Sequence, residues 1–105
     1  MKLFFRKYGE GKPIIILHGL FGLSDNWQSF AKQLEQNSFS AFTVDLRNHG
    51  NSPHHKEFNY NVLAADLFEL LESEQIQNPV LMGHSLGGKT AMRFALNYPE
   101  KISSL

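Results

Sequence analysis

The chain has 105 residues, of which 42% are hydrophobic and 19% charged, a composition typical of one globular domain and not of a disordered segment. Ten basic side chains balance ten acidic ones, which excludes the strong field that draws proteins to nucleic acid or anionic lipid. No apolar run could span a membrane, and without cysteine there is no disulfide, thiolate metal site or cysteine nucleophile, so we expect a cytoplasmic protein.

The first predicted elements are two β-type runs separated by a glycine-rich turn. Residues 3–8 form the first run, and residues 14–17 form a β-branched, continuously apolar run of the kind that is covered on both faces of a sheet. A loop with two glycines follows at 18–23. Apolar residues from Trp27 to Leu34 then recur at helical spacing, and Asp25 is a candidate N-cap of this helix.

The alternation of strand and helix continues along the chain. The remaining predicted elements are a strand at 41–44, a long loop at 45–57, a helix whose apolar face runs from Tyr60 to Leu71, a strand at 80–82, a helix at 85–97 and the start of a strand at 101–105. This order predicts an α/β fold, a three-layer α/β/α sandwich around a mostly parallel sheet. Because such a sheet would be small, we expect residues 1–105 to be the N-terminal part of one larger domain, truncated after the third helix.

Three loops each follow a predicted apolar strand, and they begin at His18, Asp45 and Gly83. In a parallel sheet the carboxyl ends of the strands share one edge, and reactive groups gather outside that edge. We therefore expect these three loops to lie together and to form the functional site.

The last of these loops reads Gly-His-Ser-Leu-Gly from Gly83 to Gly87 and matches G-x-S-x-G, the pattern of a nucleophile elbow. A strand that turns sharply into a helix holds the serine at strained backbone angles, and the flanking glycines leave room for the turn. The pattern predicts that the hydroxyl of Ser85 stands clear at the sheet edge. It also predicts that the backbone N–H of Leu86, at the helix start, faces a developing oxyanion.

A second motif overlaps the first. Residues 83–90 also match G-x-x-x-x-G-K-[ST], the phosphate-binding P-loop, with Lys89 as the phosphate-binding lysine and Asp45 as a Mg²⁺-side carboxylate. A P-loop nucleotide-binding protein is therefore an alternative. In that case the carboxylate strand would precede the phosphate loop, the reverse of the usual order, and the loop at His18 would have no explanation.

The loop at His18 favours the elbow, because an elbow of this kind needs a second N–H donor from a loop after an earlier strand. His18 and Gly19 begin such a loop, and residues 45–52 read Asp-Leu-Arg-Asn-His-Gly-Asn-Ser, a D-x-R-x-x-G-x-S pattern. With the elbow, these motifs resemble the first part of an α/β-hydrolase, and the resemblance is greatest to the YbfF-type esterase branch.

The resemblance implies a serine hydrolase that acts on small carboxylic esters or acyl thioesters through an acyl-enzyme at Ser85. It implies that the backbone N–H groups of Leu20 and Leu86 form the oxyanion hole and that Phe21 lines the acyl pocket. Members of the family need no metal or cofactor, and we expect neither a nucleic-acid partner nor a membrane span.

The sequence departs from the family pattern after Ser85, where the family places an Asp and then a His. Neither residue type follows Ser85 in these 105 residues, so the resemblance implies that the Asp and His of the triad are absent from this chain. A catalytically inert hydrolase fragment or binding module is thus a further alternative. We expect the upstream His18 and His84 to pack or hydrogen-bond rather than to act as bases.

The remaining polar and aromatic candidates have simpler expected roles. We expect His49, together with His54 and His55, to lie in a solvated loop. Asp45 is expected to tie down its own loop, with Arg47 as its partner. We expect Trp27 to be a core residue of the first helix.

Overall fold

The computed structural model describes residues 1–19 and 27–103, and within them the predicted alternation of strand and helix is confirmed. The elements are β1 (Phe5–Tyr8), β2 (Lys12–Leu17), α1 (Gln28–Glu35), β3 (Phe39–Val44), α2 (Tyr60–Ser73), β4 (Val80–Gly83), α3 (Leu86–Asn97) and a 3-10 turn (Pro99–Lys101). No helix in these two ranges is both long and apolar enough to cross a bilayer.

The four strands form one sheet in the order β1-β3-β2-β4. Strand β2 pairs in parallel with β3 and with β4, and β1 pairs antiparallel with β3. The predicted mostly parallel sheet is therefore confirmed. Its parallel strands β2, β3 and β4 all end at the same edge, so the loops that follow them emerge side by side.

Both faces of the sheet are covered, as the continuous apolar run in β2 predicts. Ile15 and Leu17 lie in a core cluster with the apolar faces of α2 and α3, whereas Ile14 and Ile16 pack with Ala31 of α1 on the opposite face. Burying a large aliphatic side chain stabilises the fold by about 1.5–3 kcal/mol, so the two buried side chains on each face of β2 stabilise it by several kcal/mol. The result is the three-layer α/β/α sandwich.

The predicted strand at 101–105 is wrong for the residues that the structure describes. Lys101 ends the 3-10 turn, which Pro99 begins because its fixed φ favours a helical turn. Ile102 is extended, and the N–H of Ser103 donates to the Pro79 carbonyl at 2.8 Å. Residues 104 and 105 lie outside the described ranges.

Candidate functional site

The turn from β4 into α3 holds Ser85 in a conformation that few non-glycine residues adopt. Its backbone angles are φ 54° and ψ −110°, outside the left-handed well that polar residues sometimes occupy. Ser85 is the N-cap residue of α3, yet its side chain makes no capping hydrogen bond, which is the usual role of a serine there. The residue is exposed, so the turn presents a hydroxyl that the helix does not use.

Two glycines make this turn sterically possible. A Cβ on Gly83 would lie 2.5 Å from the backbone nitrogen of Gly88, and a Cβ on Gly87 would lie 2.6 Å from the carbonyl oxygen of His18. Neither distance is tolerated between non-bonded heavy atoms, and backbone atoms cannot rotate away as a side chain can. The predicted need for glycine on both sides of Ser85 thus has a specific steric cause.

The geometry of the same segment disagrees with the P-loop interpretation. Helix α3 begins at Leu86, so Gly87 and Gly88 lie inside the helix instead of in an open loop before it. Thr90, which would have to face a metal ion, is buried, and its hydroxyl donates to the Leu86 carbonyl at 2.9 Å. The segment therefore lacks the row of free backbone N–H groups that cradles phosphates.

The start of the loop after β2 lies against this turn. The N–H of His84 donates to the Leu17 carbonyl at 3.1 Å, and a Cβ on Gly19 would lie 2.9 Å from Nδ1 of His84. The structure therefore brings His18 and Gly19, the first two residues of that loop, beside the serine turn, as the shared sheet edge predicts. Gly19 is the last residue described before position 27.

His18 is buried, and both of its ring nitrogens are engaged. Nδ1 lies 2.7 Å from the Gly19 carbonyl oxygen, and Nε2 accepts the N–H of Leu46 at 2.9 Å. Because a carbonyl only accepts and an N–H only donates, the proton is on Nδ1 and the ring is neutral. Burial also lowers the pKa of His18. A ring committed in this way has no nitrogen left to take a proton from Ser85.

The solvent exposure of His49 and His84 differs from the prediction. His49 was expected to be solvated, but it is buried: its ring packs 4.9 Å from that of His18, and Nδ1 lies 2.9 Å from the Arg47 carbonyl oxygen, to which it donates. His84 is exposed, with its ring 6.3 Å from Trp27. Among the described residues, no three His, Asp or Glu side chains gather in a group that could hold a metal ion.

Asp45 ties down its own loop, but the predicted partner is wrong. Its carboxylate accepts the N–H of Asn51 at 3.0 Å, while Arg47 turns away to make two hydrogen bonds with Asp66 of α2, at 2.8 and 2.9 Å. Arg47 also donates to the Glu57 carbonyl at 3.0 Å, and the hydrogen bond to Asp66 raises its pKa. The long loop is thus fixed to α2 by a buried ion pair.

Asp66 is the residue that sequence reasoning missed. Its side chain is only 3% exposed. A usable signal was present, since Asp66 follows Leu63 by three positions and precedes Leu70 by four, which places it on the same helical face. A carboxylate on a buried face requires a cationic partner.

Two predicted site positions cannot be compared with the structure. The oxyanion donor at Leu20 and the pocket residue Phe21, with the candidate cap Asp25, lie outside the described residues. Leu86, the other predicted donor, is the first residue of α3 and is buried directly after Ser85. Trp27 is half-buried and packs against the core beneath α1, in agreement with the expected core role.

Comparisons with known proteins identify the family to which this chain is similar. A family model described as alpha/beta hydrolase fold matches residues 12–105. The sn-1-specific diacylglycerol lipase ABHD11 of Xenopus laevis is 45% identical over 96 residues, 90% of this chain and 31% of that protein. Ethanol acetyltransferase 1 of Eremothecium cymbalariae is 42% identical over 98 residues, 92% of this chain and 27% of that protein. A solved marine microorganism esterase is 48% identical with a TM-score of 0.94, over 97% of this chain and 39% of that one.

The chain therefore spans about a third of the length of these relatives. The family model nevertheless covers nearly all of its residues, and the strand, loop and elbow described above all lie inside the matched range. The relatives carry the names of lipases, esterases and hydrolases, which are enzymes. The chain belongs to the alpha/beta hydrolase fold family.

Proposed function

We propose that this chain carries the nucleophile of a serine hydrolase that cleaves small carboxylic esters through an acyl-enzyme at Ser85. One observation carries the proposal: Ser85 is exposed on a strained strand-to-helix turn, and its hydroxyl does not cap the helix that follows. Strain of this kind costs about 1–3 kcal/mol and persists where the surrounding structure enforces it, which is characteristic of functional sites.

In the proposed reaction the Ser85 oxygen attacks the ester carbonyl, and negative charge develops on the carbonyl oxygen. The N–H of Leu86 is suited to meet that charge, because the first N–H groups of a helix have no partner within it and the helix dipole favours an anion there. We assign the second donor to the N–H of Leu20. Loss of one such donor typically costs about 3 kcal/mol of transition-state stabilisation.

The proton of Ser85 needs an acceptor, and the buried His18 is not available for that role. No histidine or aspartate follows Ser85 in the sequence, and the ring nitrogens of His18 are both hydrogen-bonded. The resemblance implies a later Asp and His, and the relatives are about three times as long as this chain. We therefore propose that the base and its orienting acid belong to a part of the fold that these 105 residues do not contain.

The acyl donor and acceptor are proposed from the relatives. One relative is named a diacylglycerol lipase and a structural neighbour an esterase, which favours carboxylic esters. The YbfF-type esterase branch is proposed from the sequence motifs alone. Another is named an ethanol acetyltransferase. An acyl-enzyme can pass its acyl group to water or to an alcohol, and acyl thioesters could load the same serine, so one intermediate accounts for all these names.

A fluorophosphonate probe tests the proposal, because it phosphonylates a serine that an oxyanion site assists. We expect slow labelling of the folded chain that Ser85→Ala abolishes and that Ser29→Ala, an exposed serine in α1, leaves intact. Folded chain that remains unlabelled would contradict the proposal and would favour an inert hydrolase fragment or binding module.

A further inference from the structure

We propose that His84, held in place by Trp27, binds a hydroxyl group that the ester substrate carries close to its scissile carbonyl. The proposal rests on the proposed function, because it places an ester at Ser85 and adds one contact to that ester. It narrows the substrate class from carboxylic esters in general to hydroxy esters. His84 takes no proton from Ser85 in this account.

The first step is the place of His84 at the carboxyl edge of the sheet. The residue directly precedes Ser85, between β4 and α3, and both side chains are exposed. The N–H of His84 donates to the Leu17 carbonyl at 3.1 Å, and the His84 carbonyl accepts the N–H of Gly87 at 3.0 Å. The backbone on both sides of the imidazole is therefore fixed, and an ester that reaches the Ser85 oxygen also comes close to this ring.

The second step is that the imidazole is held although it is exposed. It lies against the backbone of Gly19, where an added Cβ would come within 2.9 Å of Nδ1. It also packs beside the indole of Trp27, with ring centroids 6.3 Å apart and ring planes at 53°. Trp27 is half-buried, and the ring of Phe30 packs edge-on against it at 6.3 Å. A side chain that is already restrained loses less conformational entropy when a ligand binds to it.

The third step is that the ring nitrogens of His84 are available. They make no hydrogen bond to residues 1–19 or 27–103. In contrast, His18 uses both of its ring nitrogens, and His49 and His55 each use Nδ1. An imidazole that is restrained, exposed and unpaired, next to a proposed nucleophile, is suited to bind a polar group of the substrate.

The hydrogen-bonding capacity of imidazole selects a hydroxyl as that polar group. A neutral imidazole has one N–H donor and one acceptor nitrogen, whereas an imidazolium has two donors. A hydroxyl both donates and accepts, so it can pair with His84 in either state, but a carbonyl or ether oxygen can only accept. The contact therefore favours an ester with a hydroxyl on its acyl or its alcohol part over the same ester with a methyl group there.

Binding to the Ser85→Ala chain tests the proposal without any reaction. The first ester pair is 2-hydroxyethyl butyrate and propyl butyrate, and the second is ethyl 3-hydroxybutyrate and ethyl 3-methylbutyrate. Trp27 is the only tryptophan of the sequence, so its fluorescence reports binding beside His84. We expect a hydroxy ester to bind about threefold to tenfold more tightly than its methyl counterpart, the range for one neutral hydrogen bond. Equal affinities within both pairs, or no saturable binding of either hydroxy ester, would overturn the proposal.

Substitutions of the exposed His84 separate a hydrogen bond from simple packing. In the Ser85→Ala background, His84→Leu should abolish the preference for the hydroxy ester. His84→Gln keeps a donor and an acceptor and should retain part of the preference, and His54→Leu, in the exposed part of the long loop, should retain all of it. A preference that survives His84→Leu would contradict the proposal.

The imidazole ¹⁵N shifts of the same chain give a direct signature of the contact. The shifts of His84 should move when the hydroxy ester is added and stay in place with its methyl counterpart, while those of His54 should move with neither. Shifts of His84 that respond equally to both esters would overturn the proposal. Fluorophosphonate labelling of Ser85 together with equal affinities would refute this contact alone, and absent labelling with a retained preference would refute the acyl-enzyme alone.

Discussion

Gly87 of α3 lies against the carbonyl group of Leu17, at the end of the central strand β2, so closely that a Cβ on Gly87 would be 2.5 Å from the Leu17 carbonyl carbon. The elbow and the strand next to it are thus in backbone contact, with no side chain between them. Because β2 is paired on both sides, the strand cannot move away from the helix. This contact is what allows α3 to begin directly after Ser85.

Gly87→Ala should therefore lower the free energy of unfolding by about 1–3 kcal/mol, the range of overpacking in a well-packed core. Gly88→Ala is the matched control, since its nearest neighbour would be the Gly83 oxygen at 3.3 Å and alanine favours a helix. We expect this variant to stay within about 1 kcal/mol of the wild type. Chemical denaturation of both proteins checks the difference, and equal stability would show that the contact is not tight.

Ser85→Gly should stabilise the chain while it removes the proposed nucleophile. The angles of Ser85 are strained for any residue with a Cβ, and glycine relieves that strain at some cost in unfolded-state entropy, so the net gain should be about 1 kcal/mol. The same change at Ser29, inside helix α1, should instead destabilise by roughly 0.5–1 kcal/mol. Thermal denaturation of the two variants measures the contrast. A loss of stability at Ser85 would mean that the backbone there is not strained.

The ion pair between Arg47 and Asp66 should matter more than any surface pair. Arg47→Met leaves the buried Asp66 carboxylate with only the N-terminal ammonium of Met1, 3.5 Å away, and should cost about 3 kcal/mol. Lys101→Met, which breaks the exposed pair with Glu72, should cost less than about 1 kcal/mol. Adding Asp66→Leu to Arg47→Met should recover most of the loss. Urea denaturation tests the series, and a double variant no more stable than Arg47→Met would contradict it.

Stability should fall as the pH is lowered below the ordinary pKa of histidine, because burial lowers the pKa of His18. Below about pH 6.5 the His18 side chain is protonated in the unfolded chain but still neutral in the folded chain. The free energy of unfolding therefore has its full value above that pH and decreases below it. The charged and titratable groups facing His18 are His49 and Asp45. The decrease of the free energy of unfolding with pH should be smaller in His18→Asn and unchanged in His54→Asn, an exposed control. Unfolding curves at several pH values measure it. An equal decrease in His18→Asn and in the wild type would show that His18 is not responsible.

Most of the fold could be predicted because its signals are local. The buried strands are continuous apolar runs, and the helices carry their apolar residues at helical spacing. The ends of the elements were harder to predict. Strand β2 begins at Lys12 and includes Pro13, a residue type that usually indicates a turn. Pro13 is the second residue of β2 and precedes the pairing with β4, which begins at Ile14; proline is tolerated near the start of a strand.

In the candidate site, too, the local features could be predicted and the long-range contacts could not. The turn around Ser85 is encoded in five adjacent residues, and its steric demands explain their identity. The burial of His49 and the pairing of Arg47 with Asp66 depend on how a long loop folds back on α2, which no short pattern specifies. The hydrogen bond from the Leu46 N–H to His18 likewise joins positions 28 residues apart.

The most direct test of the central claim is to look for the acyl-enzyme itself. The folded chain is incubated with p-nitrophenyl acetate, quenched in acid and mapped by tandem mass spectrometry beside the Ser85→Ala and Ser29→Ala variants. We predict slow acetylation of Ser85 in the wild type and in Ser29→Ala, with the buffer taking the hydroxyl proton, and turnover near background because both ring nitrogens of the buried His18 are hydrogen-bonded. Acetylation spread over other residues with none at Ser85 would contradict the account.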